Sequence, residues 1–162
     1  MTIEELKKIK DSFVAELIDS AENKKTSLPF IRHDLPRQSL VKEGEIFQVF
    51  VLGGTVFRAA ICKKQDKKII ILSQQESIPP KFLTKKDFIS WIIPYVDPSV
   101  RVIALNFAYP VKPLFQNNYL DGVLISGTKE NVLEGLVGEL VGKSISQACL
   151  ETYKKNITVT VA

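Results

Sequence analysis

The residues best suited to chemistry fall in three short stretches. In "VLGGTVFRAA", Val51–Ala60, two glycines and a threonine separate two apolar runs. Strand, tight turn, strand is the natural reading. Gly53 and Gly54 carry no Cβ, so a ligand can approach the backbone, and consecutive N–H groups with the Thr55 hydroxyl make a nest for phosphate oxygens. An ordinary tight hairpin fits the same residues. A loop of this shape that handles phosphates often carries a carboxylate just before "LGGT", where this chain has Val51. In "SGTKEN", the Thr128 hydroxyl and Lys129 ammonium stand side by side and suit a sugar hydroxyl, a phosphate or a carboxylate, or else form a polar loop before a helix. In "NFAYPVKP", Asn106 is the side chain able to hydrogen bond at the tip of an apolar strand. His33 stands without a serine–histidine–aspartate set or a metal-ligand cluster and is read as incidental.

The elements that must position these residues follow from periodicity. "TIEELKKIKDSFVAELIDSAEN" has helical spacing, with Thr2 as N-cap and Glu5 completing a capping box. "KKTSLPFIRHDLPRQSLVKEGE" has no period and reads as an extended connector. "IFQVFVL", "VFRAAICKK" and "KKIIILSQQESI" read as three consecutive strands in an antiparallel meander, with a polar hairpin at "KKQDKK". "LTKKDFISWIIPYV" reads as a short helix capped by Thr84 and ended or kinked at Pro94. Two strands follow, "VRVIALNFAYPV" and "YLDGVLIS". A helix is expected over Val132–Tyr153, with its firm part from Leu140 because of Gly135, Gly138 and Gly142. "NITVTVA" closes as a strand. This order makes an α/β domain: a mixed β-sheet with flanking helices.

A chain of 162 residues suits one domain with a real core. No apolar run approaches the length of a membrane span, and the charged N-terminus does not look like a secretion signal, so neither a membrane nor a secretory role is expected. Cys62 and Cys149 have no partner spacing and read as buried reduced thiols of a cytoplasmic protein. The net charge of +4 is mild, and lysines grouped at helix ends and turns read as solvated surface, not as a nucleic-acid face.

Taken in order, the stretches resemble the small, N-terminal domain of the hexokinase family. "SLPFIRHDLP" matches a leucine–proline segment, and "EGEIFQVFVLGGTVFRA" is similar to the family's phosphate loop, "LDLGGTNFR". "SIPPKFLTKKDFISWI" matches the segment and helix that follow. "LNFAYP" stands where the family has "FTFSFP", "SGTKEN" where it has "WTKGF", and "LVGKSISQACL" where it has a "VGxDV…LxxA" helix. The resemblance implies the actin-like ATPase fold, which is ribonuclease H-like, and divides the chain into an N-terminal helix, 1–27, and a small domain, 28–162. It implies Mg-ATP and a hexose as ligands of a longer, two-domain protein. The catalytic aspartate of an Asn-Asp-Thr motif would then lie beyond Ala162, leaving this piece inactive alone, with an apolar domain face able to drive a crystal dimer.

The resemblance assigns Gly53, Gly54, Thr55 and Arg58 to phosphate, and Thr128 and Lys129, together with Asn106, to the sugar. Three positions depart from it. Val51 replaces the aspartate that helps place the nucleotide-bound magnesium, Ala108 replaces a sugar-contacting serine, and Gly127 replaces a tryptophan. Neither valine nor alanine offers a side chain that can hydrogen bond or coordinate a metal. A sugar kinase, a non-catalytic sugar-binding or regulatory relative, and a likeness of fold alone are the readings that remain.

Overall fold

The computed structural model describes residues 1–22, 24–27, 39–127 except 117 and 118, and 133–161. His33 and most of the connector read as "SLPFIRHDLP" lie outside the described residues, as do Thr128 and Lys129. The chain forms two compact units, Met1–Asp34 and Leu35–Ala162.

The first unit is built on α1 (Ile3–Ala21). Its capping box forms as the spacing predicts: the Thr2 hydroxyl accepts from the Glu5 amide at 3.2 Å, and the Glu5 carboxylate accepts from the Thr2 amide at 2.6 Å. The Glu16 carboxylate accepts from the Ser27 amide at 2.7 Å and from the Thr26 hydroxyl, which folds the following segment back along the helix.

In the second unit, β1 (Ile46–Leu52), β2 (Phe57–Gln65) and β3 (Lys68–Ser77) form the antiparallel meander. The β2–β3 turn has Asp66 and Lys67 at φ 53° and 59°, the left-handed pair of a two-residue hairpin whose twist matches the strands. Then come α2 (Lys85–Ile92), β4 (Val102–Phe107), β5 (Val111–Gln116), β6 (Tyr119–Leu124), α3 (Val141–Tyr153) and β7 (Thr158–Val161). The main sheet has the order β3-β2-β1-β4-β7, with β4 and β7 parallel to β1. This is the mixed α/β sheet that the order of elements implied.

The pattern does not anticipate β5, where Pro110 and Pro113 read as a strand end. Pro113 instead sits in a two-stranded antiparallel pair opposite Gly122. β5 has no strand on its other side in this pair, and a proline is tolerated on such an edge strand. The helix expected from Val132 begins only at Val141. Before it, Gly138 takes φ 87°, and a Cβ on Gly135 would lie 2.5 Å from the Thr84 backbone. Those glycines serve a turn and a close crossing over the cap of α2.

The core lies on one face of the main sheet. Phe50, Leu52, Phe57, Ile103, Leu105 and Val159 are buried there under Phe88 and Ile92 of α2 and Ile145 and Cys149 of α3. Phe57 meets Trp91 edge-on and Tyr95 likewise, both with ring centroids 4.9 Å apart. A smaller cluster, Phe47, Cys62 and Val102 with Leu40 and Val41 against it, lies on the other face. Both cysteines are buried free thiols. Burial raises the Cys62 thiol and pushes Cys149 up to about 11.

Candidate functional site

β1, β4 and β7 run parallel, so their C-terminal ends share one edge of the sheet. Crevices outside the carboxyl ends of parallel strands are where ligands of open α/β sheets bind. Leu52, the last residue of β1, is level with Phe107, the last of β4. The chain leaving β4 is then tied to the β1–β2 hairpin. The Ala108 amide donates to the Leu52 carbonyl and the Tyr109 hydroxyl to the Gly53 carbonyl, both at 3.1 Å. On the far side of the same tip, the Ile125 amide donates to the Pro110 carbonyl at 2.9 Å. The "GGT", "LNFAYP" and "LISG" stretches, up to 74 residues apart in sequence (Gly53 to Gly127), thus form one bonded series at one end of the domain.

Within the hairpin, the Gly53 amide donates to the Val56 carbonyl at 2.9 Å, which leaves Gly54 and Thr55 at the tip. Of the two sequence readings, the tight hairpin is the one this backbone forms. The Gly53 N–H is engaged in closing the turn, beside the exposed Thr55 at its tip. Burial raises the pKa of the Tyr109 phenol that holds this turn, keeping it a hydrogen-bond donor.

The register sets the remaining residues in one row across the sheet, Glu76–Arg58–Val51–Asn106, on the face away from the main core. Arg58 and Asn106 are exposed and flank Val51. The Arg58 guanidinium donates through Nε to Glu76 at 2.7 Å. Both partners are about half exposed, so this is a surface pair worth at most about 1 kcal/mol, and a stronger anion could compete for the arginine. A magnesium ion does not fit this row: Val51 offers no oxygen, and the carboxylate present is the one that Arg58 neutralises. Among the described residues no group of three or more His, Cys, Asp or Glu side chains could hold a metal ion.

Thr128 and Lys129 lie outside the described residues, but the chain is followed as far as Gly127. Gly127 is buried, and a Cβ there would lie 2.7 Å from the Glu134 backbone nitrogen. The tryptophan of the resembling pattern has no room at that position. Sequence reasoning missed Asp121. Its buried carboxylate accepts from the Gly142 amide at 2.8 Å and the Lys143 amide at 2.9 Å, capping α3 from across the fold, and from the Gly122 amide at 2.7 Å. A Cβ on Gly142 would meet that carboxylate at 2.9 Å. This glycine, placed in the "VGxDV" pattern by resemblance, thus has a packing reason of its own.

No family model matches this chain, and no curated protein matches it in sequence. Its structure is similar to that of hexokinase from Schistosoma mansoni complexed with glucose, with a TM-score of 0.67 at 16% identity, covering 100% of this chain and 39% of that one. The PPX-GPPA enzyme of Aquifex aeolicus aligns at a TM-score of 0.37 and 9% identity, covering 73% of this chain and 36% of that one, too weak to carry an argument. The chain thus spans about two fifths of the hexokinase's length. The mixed α/β fold is similar to that of the matching part of this hexokinase. No helix among the described residues is long and apolar enough to cross a membrane.

Proposed function

We propose that this chain is the small lobe of a hexokinase-like sugar kinase, with the N-terminal helix, 1–27, as an appendage to the lobe, 28–162. The observation that carries the reading is the convergence of the Gly53–Val56 hairpin, the Ala108–Pro110 tip and the Ile125–Gly127 segment at the C-terminal ends of parallel strands. In the longer protein, phosphoryl transfer from Mg-ATP to a hexose hydroxyl would depend mainly on positioning and charge stabilisation. The Gly54 and Thr55 amides would approach phosphate oxygens, with Gly53 and Tyr109 fixing the turn. Arg58 would exchange Glu76 for phosphate. Asn106, Thr128 and Lys129 would hold sugar oxygens. No step is assigned to a magnesium ligand of this chain, because position 51 supplies none.

A second reading is supported by Val51, Ala108 and Gly127 together: a non-catalytic relative that binds sugar or a partner without turnover. A coupled assay of sugar-dependent ATP consumption tests both. These 162 residues alone are expected to show no turnover. In the longer protein, brisk turnover with valine at position 51 excludes the non-catalytic reading. A rise from no activity in Val51→Asp would identify the metal position as the missing part. No sugar phosphorylation by either form would overturn the kinase reading.

A further inference from the structure

We propose that this edge takes a phosphate group that carries no magnesium, with Arg58, released from Glu76, as the cation that neutralises it. This rests on the reading of the Gly53–Val56 hairpin as the phosphate end of the ligand edge. It follows from the misfit of a metal in the row Glu76–Arg58–Val51–Asn106. The row sets a carboxylate, a guanidinium, an aliphatic side chain and an amide level on one face of the sheet. Magnesium on a substrate phosphate is held to a protein through one or two carboxylates. Position 51, which the resemblance gives to such a carboxylate, has Val51, half-buried and without a donor atom. The carboxylate that is present, Glu76, stands two strands away on β3. Two strand spacings are about 10 Å. The strand between carries Arg58, whose guanidinium is bonded to Glu76 at 2.7 Å.

The order of charges decides what the row attracts. With no anion at position 51, a magnesium ion arriving on a phosphate would meet Arg58 cation to cation, with nothing to separate them. A phosphate without the metal keeps its full negative charge. It also presents paired oxygens to the guanidinium fork, a better match than the Nε contact with Glu76. That contact is open to solvent on both sides, so it is weak and yields to a stronger anion. Asn106, exposed on the other flank of Val51, is uncharged and adds amide donors that phosphate oxygens accept. Glu76 thus holds the place of the phosphate on Arg58 until the phosphate arrives. For the kinase reading, the lobe then recognises the phosphate and leaves the metal to residues elsewhere.

Two chemical-shift titrations of the 15N-labelled chain with ATP at fixed ionic strength, one in EDTA and one in excess magnesium, test this. The Arg58 side-chain N–H and the amides of Gly53, Gly54 and Thr55 are expected to report a Kd about fivefold lower in EDTA. Arg58→Gln is expected to remove the difference. Glu76→Gln is expected to tighten the metal-free complex by up to about fivefold, because Arg58 no longer leaves a charged partner. Val51→Asp is expected to reverse the preference. Magnesium-bound ATP that binds the wild type as tightly as free ATP, through the same resonances, overturns the proposal and leaves the ligand edge standing. A preference that survives Arg58→Gln comes from the general positive charge of the chain and also overturns it. If neither form of ATP moves these resonances, the ligand edge falls, and the proposal with it.

Discussion

The Tyr109 hydroxyl donates a hydrogen bond to the Gly53 carbonyl at 3.1 Å, and this contact joins the tip of β4 to the glycine hairpin of β1 and β2. The neighbouring Ala108–Leu52 backbone bond runs in parallel with it. Tyr109→Phe keeps the ring against Phe107 and removes only the hydroxyl. It is expected to cost about 1 kcal/mol in urea unfolding. It should also speed amide exchange at Gly53 and Ala108, whose N–H groups are bonded in this junction, while leaving the core amides unchanged, as native-state hydrogen exchange would record.

Asp121 is a contributor that sequence spacing hides. Asp121→Ala would leave the first turn of α3 without its cap, and two buried amides and one part-buried amide without an acceptor. A loss of about 2 kcal/mol or more is expected in chemical denaturation. Asp121→Asn should recover part of it, because the amide oxygen can still accept from one or two of those N–H groups.

Gly127 reports whether the "SGTKEN" loop can accept the bulk that the hexokinase pattern carries. Gly127→Ala already sets a Cβ against the Leu133–Glu134 backbone, which cannot swing aside as a flexible side chain would. It is expected to destabilise by about 1–3 kcal/mol, and Gly127→Trp by more, read as a fall in Tm. A Gly127→Trp variant as stable as the wild type would show that this segment packs differently.

At the opposite end of the sheet, Arg101 grips Glu45 through a two-pronged contact, Nε to Oε1 at 2.9 Å and Nη2 to Oε2 at 3.0 Å, and also donates to the Leu40 carbonyl. The Arg101 hydrogen bonds hold the Glu45 carboxyl below its ordinary value of 4.5. A lowered folded-state pKa stabilises the fold above the unfolded value, and the contribution is lost as pH falls through the folded value. Stability measured from pH 6 downward should therefore decline below about pH 4.5, and the decline should be shallower in Arg101→Gln. The contact is partly solvated, so the difference will be modest.

The local signals in this sequence were legible because they act over few residues. The capping box at Thr2, the N-cap at Thr84, the apolar runs of β1 and β4, and the "GGT" turn each involve near neighbours in sequence. What could not be read is long-range. Asp121 caps a helix 21 residues away. Glu76 takes up Arg58 because the register sets them side by side. β5 was hidden because a proline that would break a central strand is harmless at an edge. The three candidate loops could be nominated one by one, but only the parallel pairing of β1 with β4 places two of them together.

The central claim is that these loops form one ligand edge. The direct test is a chemical-shift titration of the 15N-labelled chain with glucose and, separately, with ATP at millimolar concentrations. ATP is expected to move the resonances of Gly53, Gly54 and Thr55, and glucose those of Asn106, Ala108, Thr128 and Lys129, with little change along α1 or β3. Saturating ligand that leaves all of these resonances in place, or moves only residues remote from the C-terminal ends of β1 and β4, would contradict it.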